Sequence, residues 1–151
     1  MAEVNTTQAA KLAANQKLLP NEQAGRKRIL ASKMPATYAS PQIADTIFIG
    51  RIPPNSRLTL DSQVSCAAGT ASSTVSIGIR STRTQTVISA TGIASGVDVA
   101  AAGQKLANNG ALIANGAEYV TAEWVDVYAT VAGAAIAANQ ALKFEVGYVT
   151  D

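Results

Sequence analysis

From residue 43 onward, apolar and polar side chains alternate with a period of two, the mark of strands with one face buried. In the first such segment Asp45, Ile47 and Ile49 share a face. Pro53, Pro54, Asn55 and Ser56 then predict a turn, because proline fixes φ and asparagine tolerates unusual backbone angles. Residues 57–64 alternate again, with Leu58, Leu60 and Val64 expected inward and Arg57, Thr59, Asp61 and Gln63 outward. A small-residue loop around Gly69 covers 65–72, and 74–80 turns Val75, Ile77 and Ile79 inward. Residues 84–90 read as a short polar strand at a sheet edge. Within 118–131, Val125, Val127, Ala129 and Val131 form one face and Trp124, Asp126, Tyr128 and Thr130 the other. Gly133 marks the bend of a connection over 132–141, after which Leu142, Phe144, Val146 and Tyr148 point inward and Lys143 and Glu145 outward. Seven or eight strands separated by turns predict an all-β fold, a two-sheet β-sandwich of jelly-roll type.

Two stretches lack this rhythm. Gly92, Gly96, Gly103, Gly110 and Gly116 punctuate residues 91–116, which read as a long surface connection with Asp98 capping a short helix through Leu106. The first 42 residues read as an arm, extended or partly helical, ahead of a sandwich domain at 43–151. Residues 6–19 have helix-forming composition, with Asn5 or Thr6 as cap and Pro20 as stop. The apolar stripe of Ala9, Leu12, Ala13 and Leu19 offers little area to bury, and an isolated helix of this length is marginal in water. Met34-Pro35 and Ser40-Pro41 keep the next stretch extended, with a short strand near 28–32.

At 151 residues the chain is one domain, long enough to bury its own core. It is 48% hydrophobic and only 15% charged, against about 25% charged in an ordinary soluble domain, which excludes a disordered chain. The many alanines, serines and threonines let neighbouring subunits approach closely. No apolar run is long enough for a transmembrane helix, and no charged segment followed by an apolar one marks a secretory signal. Without a signal, the glycosylation sequence Asn5-Thr6-Thr7 is a chance match.

Histidine is absent and Cys66 is the single cysteine. A Ser-His-Asp or Cys-His catalytic arrangement cannot be built, nor a zinc site of imidazole and thiolate, nor an intramolecular disulfide. Cys66 reads as a small apolar filler beside Ala67 and Ala68. Glu118, Glu123 and Asp126 are the one close group of carboxylates. On a strand, Glu123 and Asp126 point to opposite faces, and Glu118 lies about 26 Å from Asp126 at eight residues' separation. No catalytic pair follows, no loop is dense enough in ligands for calcium, and no glycine run has a P-loop ending. The chain reads as non-enzymatic, without metal, cofactor or small-molecule substrate.

Charge is uneven along the chain. Residues 1–57 carry a net +5, residues 106–151 a net −4. The cluster Arg26, Lys27, Arg28 is the first candidate for partner binding, read as a solvated turn or a protein–protein salt contact. Nucleic acid, which these residues and Lys33 would meet, is disfavoured because no aromatic residue interleaves with them. Trp124 and Tyr128 are the second candidate, either core packing or an interface anchor.

The stretch Asp45-Thr46-Ile47-Phe48-Ile49-Gly50-Arg51-Ile52-Pro53, followed by Asn55-Ser56-Arg57-Leu58, resembles the first core strands of small virion proteins of tailed bacteriophages. Upstream, Gly25-Arg26-Lys27-Arg28 is similar to a basic element that often precedes them. The ending, Asp126-Val127-Tyr128-Ala129-Thr130, a small-residue turn, then Leu142-Lys143-Phe144-Glu145-Val146-Gly147-Tyr148, is similar to their closing hairpin. The resemblance spans roughly residues 25–150 as a pattern of strands and turns, with no counterpart for 91–116. It points to the head decoration (cement) proteins. It implies a jelly-roll sandwich on the outer capsid surface of the virion, dimeric or trimeric, that braces subunits of the major capsid protein. The alternative is a receptor- or glycan-binding module of a tail or fibre, stacking sugars on Trp124, Tyr128 or Tyr119.

Overall fold

The computed structural model describes residues 6–18 and 25–150. Among the described residues a single helix, α1 (Thr7–Ala13), precedes nine strands. These are β1 (Arg26–Lys33), β2 (Thr46–Ile52), β3 (Arg57–Leu58), β4 (Gln63–Cys66), β5 (Thr74–Ser81), β6 (Val87–Asp98), β7 (Gly103–Leu106), β8 (Val125–Ala132) and β9 (Leu142–Thr150). Thr6 caps α1, its Oγ1 accepting from the Ala9 N–H at 3.3 Å. The helix is shorter than expected because Asn15 enters the left-handed region at φ 54° and ends it. Leu18 is buried. Asn5, Leu19 and Pro20 lie outside the described residues.

One sheet has the order β1-β9-β4-β7, with β3 beside β4 on the same edge of β9; the other has the order β2-β8-β5-β6, and every pair is antiparallel. Counted as one interrupted strand, β3 and β4 bring the total to eight, four in each sheet. Apart from the consecutive pair β5–β6, neighbours in each sheet come from distant parts of the chain, which is the jelly-roll arrangement of two Greek keys. The sheets meet at one side through β1 and β2 and at the other through β6 and β7. At the first meeting, Leu30 Cδ1 lies only 2.7 Å from where a Cβ on Gly50 would sit, so a side chain there would have to push the Leu30 side chain aside. The expected arm boundary at 42 therefore encloses an edge strand, since all of β1 pairs with β9 from Arg26–Thr150 to Lys33–Lys143.

Between the sheets lie the residues that alternation places inward. Val75, Ile77 and Ile79 on β5, Val125, Val127, Ala129 and Val131 on β8, and Leu142, Phe144 and Val146 on β9 are all buried. Tyr148 packs against the cluster at its margin. In β2 a bulge between Phe48 and Gly50 shifts the phase, so that Ile49 and Ile52 are both buried.

Other expectations give way to bulges. The single strand expected at 57–64 is broken: five steps from Leu58 to Gln63 face three on β9, from Tyr148 to Glu145. Two extra residues preserve parity, so Leu58 and Val64 point in while Leu60, expected inward, is 57% exposed. Buried Ser62 fills the inner place, its Oγ accepting from the Gly147 N–H at 3.2 Å. The edge strand expected at 84–90 begins later, at Val87, and continues to Asp98 as the edge of its sheet. Asp98 caps no helix. Its carboxylate accepts from the Ala100 N–H in a turn that leads into β7, so part of the expected loop is sheet.

Candidate functional site

Arg26, Lys27 and Arg28 open β1 and are exposed. Alternation sets Arg26 and Arg28 on the side of Leu30, while Lys27 turns to the outer face and meets Asp61 at 2.5 Å. Burial alone would raise the Asp61 carboxyl, but hydrogen bonds from Lys27 and Thr59 hold it below the ordinary aspartate range. Lys33 lies at the far end of β1, across from Lys143. The basic cluster is therefore divided between two faces, with one member already paired.

Trp124 stands just before β8 and is 54% exposed. Its carbonyl accepts from the Thr82 N–H at 3.0 Å, which fixes the backbone beneath the ring. Beside it opens a cleft of about 370 Å³ lined by Pro54, Thr82, Arg83, Ala122 and Glu123. Tyr128, two turns of the pleat further on, is buried, and the Arg80 guanidinium lies 5.1 Å from its ring centroid. Of the two readings open for Tyr128, this placement fits packing, and of the pair it is Trp124 that offers an open ring. Phe48, the cross-strand neighbour of Tyr128, is exposed with Arg51 over it at 6.0 Å.

The three carboxylates do not converge. Glu118 reaches Arg57 at 3.4 Å, and Glu123 accepts from the Ser81 hydroxyl at 2.9 Å. Asp126 sits on the outer face of its sheet and is nonetheless buried. It accepts from Arg51 Nε at 2.9 Å, Thr82 Oγ1 at 2.8 Å and Gln85 Nε2 at 3.1 Å, with Arg80 Nε at 3.8 Å. Burial pushes its carboxyl up, but these hydrogen bonds and the Arg51 charge hold it below the ordinary range. A buried carboxylate held by three donors and flanked by two guanidinium groups fits a structural anion. Sequence reasoning missed this cluster, because alternation gives Asp126 an outward direction without saying what covers it. The signal was there in Arg51 and Arg80, which the register sets directly across from Asp126 on the neighbouring strands.

Cys66 is half-buried with its thiol donating to the Ala101 carbonyl at 3.2 Å, and burial pushes its pKa up. A protonated thiol is a poor nucleophile. Among the described residues no group of three or more Cys, Asp or Glu side chains could hold a metal ion. None of the described helices is long and apolar enough to cross a membrane.

What the arrangement offers is surface: a rigid sandwich with a basic strand opening, an exposed tryptophan at a cleft, and charged groups pinned by one another. No family model matches the chain, and no curated protein does. Among solved structures the chain is similar in fold to a chain of the cyanophage Pam1 capsid asymmetric unit, over the full length of both, at 15% identity and a TM-score of 0.53.

Proposed function

We propose that this chain is a structural virion protein, a decoration or cement protein that binds the outer surface of a phage capsid and bridges its subunits. The observation that supports this reading best is the full-length likeness in fold to a chain of a phage capsid asymmetric unit. The chemistry agrees with it: the candidate carboxylates are tied to their own neighbours, and a low-charge surface rich in small residues favours dry association. Many copies on a repeating shell let weak single contacts suffice, because each bound neighbour raises the effective concentration for the next contact. In this role the protein works as a homodimer or homotrimer, and residues ahead of β1 act as an arm that docks on the shell. Removing residues 1–17, which leaves the buried Leu18 in place, should weaken particle binding with little change in the melting temperature of the sandwich.

The test is add-back. Particles assembled without this protein should lose heat or low-salt stability and regain it when the purified protein is restored. Particles equally stable with and without it would overturn the cement role. A tail or fibre glycan-binding module is the second reading, favoured by the open ring of Trp124 at its cleft. Quenching of Trp124 fluorescence by host surface polysaccharide would move the assignment there.

A further inference from the structure

The strands carry the chain back and forth between two ends of the sandwich, and the two ends differ in chemistry. One end holds the start of β1, the turn from β2 to β3, the turn from β5 to β6, and the approach to β8. All six arginines of the sequence lie in that half: Arg26, Arg28, Arg51, Arg57, Arg80 and Arg83. They are spread over 58 residues of sequence, and only the antiparallel weave brings them together. With Lys27 they make seven cations against four carboxylates, Asp61, Glu118, Glu123 and Asp126. The opposite half is balanced, with Lys33, Lys105 and Lys143 against Asp45, Asp98 and Glu145. That half thus holds every arginine but only one of the four lysines of residues 25–150, and the net charge of those residues resides there.

The arginines have different duties. Arg51 and Arg80 hold Asp126, and Arg57 reaches Glu118. Arg26, Arg28 and Arg83 form no ion pair among the described residues. Trp124 shares its cleft with Arg83 and Pro54. An exposed indole at an end rich in arginine is the composition of a protein interface, where arginine and tryptophan are enriched and lysine is depleted. Guanidinium forks also match carboxylates in pairs, which an ammonium group does not.

We infer that the arginine end is the face that docks on the shell, and that its partner is an acidic protein surface presenting aspartate and glutamate side chains. The inference rests on the virion reading for the identity of that surface. A protein is favoured over a nucleic acid because Glu118 and Glu123 stand among the arginines. A mixed-sign surface of this kind fits side chains of both signs and repels a continuous phosphate backbone.

The experiment is co-sedimentation of the full-length protein with particles assembled without it. The variants are R26E/R28E/R83E at the docking end and K33E/K143E at the opposite end, all at exposed positions, with melting curves to verify folding. We expect saturable binding by the wild type, a loss of about 100-fold in the arginine variant, and a change within about threefold in the lysine variant. If the reversal variant melts early, R26Q/R28Q/R83Q replaces it, with an expected loss of about tenfold. Wild-type binding that survives in the arginine variant, or is lost in the lysine variant, would overturn the docking end while leaving the virion reading intact. Absence of wild-type binding would overturn both. Duplex DNA binding by the wild type that the arginine variant loses, with particle binding unchanged, would reassign the end to nucleic acid. A homo-oligomer of the free protein broken by the same variant, with particle binding unchanged, would reassign it to self-association.

Discussion

β8 turns Val125, Val127, Ala129 and Val131 into the core, and β9 faces the same core with Leu142, Phe144 and Val146. Inside, the two central strands are alike. Outside they are not. On β9 the outward positions are Lys143, Glu145, Gly147 and Val149, and of the charged pair there Lys143 is exposed and Glu145 half-buried. On β8 the outward Asp126 and Tyr128 are buried, although no third sheet overlies them among the described residues. Their cover comes from side chains of flanking strands and turns, namely Arg51, Arg80, Thr82 and Gln85 around the carboxylate. The difference teaches that the outer face of a sandwich sheet can be built from a saturated ion cluster as well as from apolar packing. A charge there is tolerable because three hydrogen-bond donors and two guanidinium charges meet it.

The inner faces should respond alike. Phe144→Ala on β9 removes the largest fully buried side chain and should cost about 3–5 kcal/mol in denaturant unfolding. Val127→Ala on β8 should cost less, in proportion to its smaller volume. A loss below about 1 kcal/mol for Phe144→Ala would contradict the shared core.

The outer faces should separate. Asp126→Ala leaves Arg51, Thr82 and Gln85 without this acceptor and Arg80 without its counter-charge, and should cost about 3 kcal/mol. Glu145→Ala on β9 should lower the unfolding midpoint clearly less, because its ion-pair partner Lys143 is exposed. Equal effects from the two substitutions would erase the distinction. The backbone beside β8 gives a further probe: a Cβ on Gly78 would lie 2.5 Å from the carbonyl oxygens of Ser89 and Ala90. Gly78→Ala should therefore cost about 1–3 kcal/mol through a forced shift of β6.

Acid should expose the same contrast. A carboxylate held below its ordinary pKa contributes stability that is complete above the unfolded value of about 3.9 and is lost as pH falls through the folded value. Asp126 and Asp61 are both held low, by hydrogen bonds that outweigh burial, and Glu145 is held low by Lys143 and Gln63. Stability should therefore fall between about pH 5 and about pH 2, and Asp126→Asn should flatten part of that fall. An unchanged acid slope in the variant would show that Asp126 is not the anion that matters.

Much of this was legible in the chain. β5, β8 and β9 alternate without interruption, so their inner faces can be named from the pattern alone. What alternation could not supply was what happens where pairing breaks. Leu60 follows the pattern and still points out, because two extra residues loop out between β3 and β4. β6 beyond residue 90 was hidden by glycine and alanine, whose side chains are too small to write a period, and β7 is only four residues long. The cluster around Asp126 and the arginine end both join residues distant in sequence, and only strand order and register bring them together. The basic run at Arg26, Lys27 and Arg28 was visible, but not that it shares an end with Arg51, Arg57, Arg80 and Arg83.

The central claim is that the protein tiles a shell, and copy number tests it most directly. Quantitative mass spectrometry of purified particles should give this chain in a ratio to the major capsid protein near one, or a simple fraction such as one half. A handful of copies per particle would contradict tiling and move the protein to the tail or portal, and its absence from particles would contradict a virion role altogether.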